Sequence, residues 1–125
     1  MIKILLAMTG LSGFLGVGLG AFAAHGLRGR LPQNLLHAFE TGVAYQLTHT
    51  LALFGCCLLM LLWDTRPALQ VAAFSFLAGI VLFSGSLYLL ALTGMKWLGP
   101  ITPLGGVCFL VGWLALAWTA IAQPS

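Results

Sequence analysis

Four long apolar windows organise this chain, approximately 4–24, 41–62, 68–92 and 104–122, with short polar interruptions between them. Each is long enough to cross a hydrocarbon layer as a helix, which takes about 20 residues. A helix satisfies its own backbone hydrogen bonds there, where no water can. Leu31-Pro32-Gln33-Asn34 predicts a helix start, since the amide proton that proline lacks is not needed in a first turn. Leu35, Leu36 and Phe39 then recur at three- and four-residue spacing, with Gln33, Asn34, His37 and Glu40 on other faces. This pattern predicts a short interfacial helix over 32–40. Thr41-Gly42 is the expected bend into the second window, because a continuous helix from Pro32 to Leu62 would run about 46 Å, well over the hydrocarbon thickness. Trp63-Asp64-Thr65-Arg66-Pro67 and Thr93-Gly94-Met95-Lys96-Trp97 read as tight turns with interfacial tryptophans. The predicted fold is all-α: an integral membrane four-helix bundle of two antiparallel helical hairpins, with the interfacial helix between the first and second spans, in one domain over 1–125.

Composition agrees. Hydrophobic residues make up 61% and charged residues 6%, with a mean hydropathy of +1.08. Only five Lys or Arg and two Asp or Glu occur, and Glu40 is the one that touches a window edge. Lys3, the apolar run after it and Ala21-Phe22-Ala23 resemble a secretory signal with its cleavage site. That apolar run continues for about 20 residues, whereas a signal core has about 7 to 15, so a retained first helix is expected. The net charge of +3 comes from scattered loop residues, which predicts no nucleic-acid partner. Arg28, Arg30 and Lys96 fall on one side and Lys3 and Arg66 on the other. The positive-inside tendency then places the first and third loops in the cytoplasm and both termini outside. Cys56, Cys57 and Cys108 match no metal or haem-attachment spacing and read as small apolar packers.

Small residues mark expected helix contacts, because lipid tails give apolar side chains no reason to leave them and close packing must supply the attraction. Ser12, Gly16, Gly20 and Ala24 form one series, Ala72, Gly79 and Ser86 a second, and Gly105, Gly112 and Thr119 a third. With Gly13 and Gly85 they predict a compact bundle in the lipid bilayer, with a seam left over for a second copy or a larger membrane complex.

The stretch from Glu40 to His49 concentrates the polar groups. On a continuous helix at about 100° per residue, His37, Thr48, Thr41, Tyr45 and His49 fall within roughly 120° of one another, and Gln46 extends that face to roughly 180°. Counting antiparallel helices from the turn at Trp63–Pro67 sets Ser84-Gly85-Ser86 level with Tyr45 and Gln46, Tyr88 level with Thr41, and His49 opposite Ile80. Since polar side chains in spans normally face the protein interior, Thr41, Tyr45, Gln46, His49, Ser84, Ser86 and Tyr88 are the candidate polar pocket. They would form a one-sided vestibule closed at its inner end. Glu40 is the candidate for interfacial ion pairing with Arg28, Arg30 or Lys96. Plainer roles compete: Ser and Thr bond to the preceding helical turn, Tyr45 and Tyr88 tie helices together, and Gln46 with His49 forms an interhelical pair. His49 could ligate a metal or haem, or exchange a proton. It lacks a second histidine at matching depth, and the four ligands of a structural zinc site have no spacing here. No cofactor and no metal are therefore expected. No acid pair, nucleophile triad or phosphate loop appears, so no enzymatic activity is expected either.

These residues assemble into four ordered motifs: Gly20-Ala21-Phe22-Ala23-Ala24-His25-Gly26-Leu27; Thr41-Gly42-Val43-Ala44-Tyr45-Gln46-Leu47-Thr48-His49; Leu82-Phe83-Ser84-Gly85-Ser86-Leu87-Tyr88; and Ile101-Thr102-Pro103-Leu104-Gly105-Gly106. On them the chain resembles the YgdD-like family of small integral membrane proteins of unknown function, the DUF423 or UPF0382 type. The resemblance implies a four-span protein of the bacterial inner membrane and brings no catalytic set with it. The leading expectation is a non-enzymatic four-helix membrane protein, structural or accessory, that self-associates or joins a larger membrane complex and carries a one-sided polar pocket. The alternatives are a small transporter or proton-linked permeation protein, and a quinone- or haem-binding membrane subunit.

Overall fold

The computed structural model describes residues 1–122. Among the described residues four helices are long and apolar enough to cross a membrane: α1 (Ile2–Leu27), α2 (Gln33–Trp63), α3 (Pro67–Thr93) and α4 (Lys96–Ala122). The last turn of α1 widens to a π turn at Ala23–Leu27, α3 carries another at Ile80–Ser84, and α4 opens on a 3-10 turn at Lys96–Leu98 before its main helix Ile101–Ala122. Pro67 occupies the first turn of α3, where its missing amide proton costs nothing. Gly94, at φ 71°, closes α3 in the left-handed conformation that glycine adopts without a Cβ penalty. Its N–H donates to the Leu90 carbonyl at 2.8 Å. The Arg66 guanidinium covers a carbonyl at the end of α2, with Nε donating to Trp63 O at 3.1 Å.

The bend expected at Thr41-Gly42 is absent, because α2 is one α-helix from Gln33 to Trp63, and among the described residues no separate interfacial helix precedes it. Two features explain the continuity. The buried positions Leu36, Phe39, Val43, Gln46, Thr50, Leu53, Cys57 and Met60 advance by alternating three and four residues straight through the supposed hinge, as one inward seam requires. Gly42 is buried, and a Cβ there would lie 2.8 Å from a ring carbon of Tyr88. Its lack of a side chain seats an aromatic ring and does not bend the backbone. The length argument fails because the first turns of α2 pack on protein rather than on lipid: Leu36 and Phe39 cluster with Ala23 and Leu27 of α1 and Ala91 of α3.

The bundle is flattened. Helix α1 packs on α2 and α4 packs on α3, while α2 and α3 meet along the centre. The inner pair buries 39% of its most apolar window and each outer helix 22%, so α1 and α4 carry most of the lipid-facing surface. A larger apolar cluster fills the end near Trp63 with Leu5, Leu53, Cys56, Cys57, Leu69 and Phe76 among its members. A smaller one, Ala23, Leu27, Leu36, Phe39, Val43 and Ala91, fills the other end. That second cluster stands where the vestibule was expected to open and replaces it with packed side chains.

Close approach of α3 and α4 depends on absent side chains. A Cβ on Gly105 would collide with the backbone N and Cα of Phe83, one on Gly79 with the Phe109 ring, and one on Gly112 would come within 2.6 Å of the Phe76 ring. On α1, a Cβ on Gly16 would come within 2.6 Å of Leu47 and one on Gly20 within 3.2 Å of Val43. Gly85 departs from its expected packing role, since a Cβ there would meet nothing within 4 Å.

Candidate functional site

The inward seam of α2 carries Gln46 and Thr50 one turn apart, so both enter the space between the two apolar clusters facing α1 and α3. Their hydrogen bonds close a circuit. Tyr88 on α3 donates its hydroxyl to Gln46 Oε1 at 2.5 Å, and Gln46 Nε2 donates to the Ser12 carbonyl of α1 at 2.9 Å. Thr50 donates its one hydroxyl proton to the Gln46 carbonyl at 2.6 Å, so in the 2.7 Å contact with Ser12 the serine hydroxyl is the donor. Ser12, expected as a small packing residue, is therefore also a polar tie. Gln46 and Ser12 are buried, and each direct interhelical bond of this kind contributes about 0.6 to 2 kcal/mol.

His49 lies on the adjacent face of α2 and looks towards α4. Its Nδ1 is 2.8 Å from the Tyr45 carbonyl and its Nε2 3.0 Å from Trp113 Nε1. An indole nitrogen only donates, so Nε2 is the acceptor and Nδ1 carries the proton, which assigns the neutral Nδ1–H tautomer from its partners. The ring lies flat on Phe109, with centroids 3.6 Å apart and planes 11° from parallel, and is 4% exposed. A second proton on Nε2 would confront the Trp113 N–H with another donor. A metal or haem iron at Nε2 would have to displace the tryptophan. His49 thus acts here as a bridge from α2 to α4, and Trp113 is the partner that sequence reasoning missed because an apolar span with a tryptophan offers no polar signal.

The remaining members of the expected pocket scatter. Ser84 donates to the Gly42 carbonyl at 2.7 Å, one turn beyond the Tyr45 level expected from the depth count. Ser86 donates to the Phe83 carbonyl at 2.9 Å, so Thr102 is the donor in its 2.6 Å contact with Ser86. Tyr45 is 44% exposed and packs its ring on Phe83 at 4.6 Å, while Thr41 is half-buried and Thr48 is exposed. Gln46 therefore joins α2 to α1 and α3, His49 joins α2 to α4, Ser84 joins α3 to α2 and Ser86 joins α3 to α4, as separate ties rather than one chamber. Of the clefts that open on the outside of the bundle, the one between α1 and α3 touches this set at Gln46. Glu40, Arg28, Arg30 and Lys96 are all exposed. Among the described residues Glu40 forms no ion pair with the three cations, lining instead a cleft between α1 and α2. Cys56, Cys57 and Cys108 are free thiols. Among the described residues no group of three His, Cys, Asp or Glu side chains comes together.

Comparison with known proteins agrees with this architecture. The model of a family described as "Protein of unknown function (DUF423)" matches residues 19–106. The "UPF0382 membrane protein YwdK" of Bacillus subtilis is 42% identical over 119 residues, covering 95% of this chain and 97% of the relative. A "UPF0382 membrane protein" of Haemophilus influenzae is 44% identical over 120 residues, covering 96% and 95%, and one of Staphylococcus aureus, SAB0533, is 41% identical over 114 residues, covering 91% and 92%. No solved structure matches. A multi-pass helical membrane protein whose spans are tied by buried side chains, similar over most of its length to these bacterial membrane proteins, this chain belongs to the DUF423 family.

Proposed function

We propose that this protein is a non-enzymatic structural or accessory component of the membrane, acting by self-association or as a subunit of a larger membrane complex. The observation that carries the reading is the saturation of its buried chemistry. Both His49 nitrogens, both ends of the Gln46 amide and the hydroxyls of Ser12, Thr50, Ser84, Ser86 and Tyr88 bond to other parts of the same chain. Groups so engaged offer no general base, no metal ligand and no stepping stones for a permeating ion. Meanwhile the outer faces of α1 and α4 present apolar surface with large side chains such as Phe14, Val17, Leu110 and Leu114.

Native mass spectrometry of the protein released gently from its own membranes tests the reading. A homo-oligomer or a defined protein partner is the expected result. A monomer carrying a small molecule that is lost in His49→Ala would overturn it and return the site to ligand chemistry.

A further inference from the structure

We propose that the crevice beside Glu40 binds a lipophilic ammonium ion, that is, a single positively charged amine on an apolar body. Glu40 and Asp64 are the chain's two acidic residues, and Asp64 lies in the turn at the opposite surface. Glu40 stands roughly two turns, about 10 Å, inside the start of α2 at Gln33. Arg28 and Arg30 lie beyond the end of α1, nearer the surface. Among the described residues no cation pairs with the Glu40 carboxylate. It instead edges a crevice of about 190 Å³ whose other walls are Gly20, Ala23, Val43 and Ala44.

These walls select the ligand. They are hydrocarbon and small, so they admit methylene groups and supply no oxygen or nitrogen side-chain ligand. A hard metal ion needs six or more oxygens and finds one carboxylate. An anion is refused by sign. An ammonium placed against the carboxylate at the edge of the low-dielectric layer is attracted more strongly than it would be in bulk water, while its apolar body lies along Gly20 and Ala23. The ammonium of a phosphatidylethanolamine headgroup sits outside its own phosphate, whereas Glu40 sits deeper than the arginines that would meet that phosphate. A single-chain amine can lower its charge to this depth, and it is the occupant assigned here.

Equilibrium dialysis of labelled dodecylammonium against the full-length protein in uncharged maltoside micelles tests the assignment. Wild type should bind the probe at one site, and Glu40→Gln should weaken binding by about tenfold or more. Ala44→Phe, which fills the crevice from an exposed position, should abolish binding, whereas Arg28→Gln should leave it unchanged or tighter. Equal binding by wild type and Glu40→Gln would overturn the proposal. Displacement by added phosphatidylethanolamine in wild type alone would overturn the assigned occupant in favour of a lipid amine. If Ala44→Phe fails to keep the wild-type thermal unfolding profile, the nearly isosteric Glu40→Gln comparison still decides.

Discussion

At the scale of single residues, a polar side chain in a span is explained once each of its donors and acceptors has a partner, and His49 illustrates how far that accounting reaches. Its tautomer follows from Trp113, so Trp113→Phe should free Nε2 and change the ring's signature. The wild-type ¹⁵N spectrum of His49 should report a neutral Nδ1–H ring with Nε2 hydrogen-bonded; in the variant the Nε2 resonance should move to its unbonded position, with a stability loss of about 0.6 to 2 kcal/mol in micelle unfolding. A wild-type Nε2–H tautomer would contradict the assignment. Gln46 and Tyr88 permit a second check. Because Tyr88 donates to Gln46 Oε1, Gln46→Leu and Tyr88→Phe should be non-additive, the double variant losing less than the sum of the singles by about 0.5 to 2 kcal/mol. Strict additivity would mean that the bond is not formed in the membrane. Sequence placed Gln46, His49, Ser84 and Tyr88 among buried polar groups, because charge and amide chemistry in lipid point inward. It could not pair them, since an error of one helical turn in depth exchanges every partner: Ser84 meets Gly42 and not Tyr45.

At the scale of helices, what was legible was the existence of four spans and the periodicity of their small residues. Less legible was which glycine in a series is crowded, because that depends on the rotation of the neighbouring helix. Gly105 and Gly85 separate the cases. A Cβ on Gly105 would strike the Phe83 backbone, which no side-chain rotation can move aside, so Gly105→Ala should destabilise the bundle by about 1 to 3 kcal/mol. A Cβ on Gly85 would meet nothing within 4 Å, so Gly85→Ala should be neutral or stabilise by up to about 1 kcal/mol through helix propensity. Thermal unfolding of both variants in the same detergent would check the ordering, and the reverse ordering would place the α3–α4 contact elsewhere. The continuity of α2 belongs to this scale as well. The hydrophobic seam runs through Thr41-Gly42 without a shift of phase, a signal present in the sequence but outweighed by an argument from bilayer thickness that assumed lipid, rather than protein, around the first turns.

At the scale of the molecule, the flattened arrangement separates glycines that hold the protomer together from glycines that remain for an assembly. Gly16 belongs to the first kind, with Leu47 within 2.6 Å of its virtual Cβ. Gly10 and Gly18 belong to the second: they are exposed, have nothing within 4 Å of a virtual Cβ, and flank Phe14, which is 76% exposed, on one outward stripe of α1. Two small residues around a large one on a lipid-facing helix allow a neighbouring helix to approach closely, and close packing is what drives association where the hydrophobic effect is absent. If the protein self-associates through this stripe, joint replacement Gly10→Leu and Gly18→Leu should reduce a homo-oligomer to protomers in native mass spectra, with thermal unfolding of the protomer unchanged. Gly16→Leu should do the opposite, lowering the unfolding temperature whatever the protein concentration. An oligomer that survives the double replacement would move the contact to the other outer helix, where Val107, Leu110 and Leu114 form the corresponding exposed stripe of α4. The comparison is decisive because the two kinds of glycine lie on the same helix, so a general effect of leucine on α1 would act on both alike.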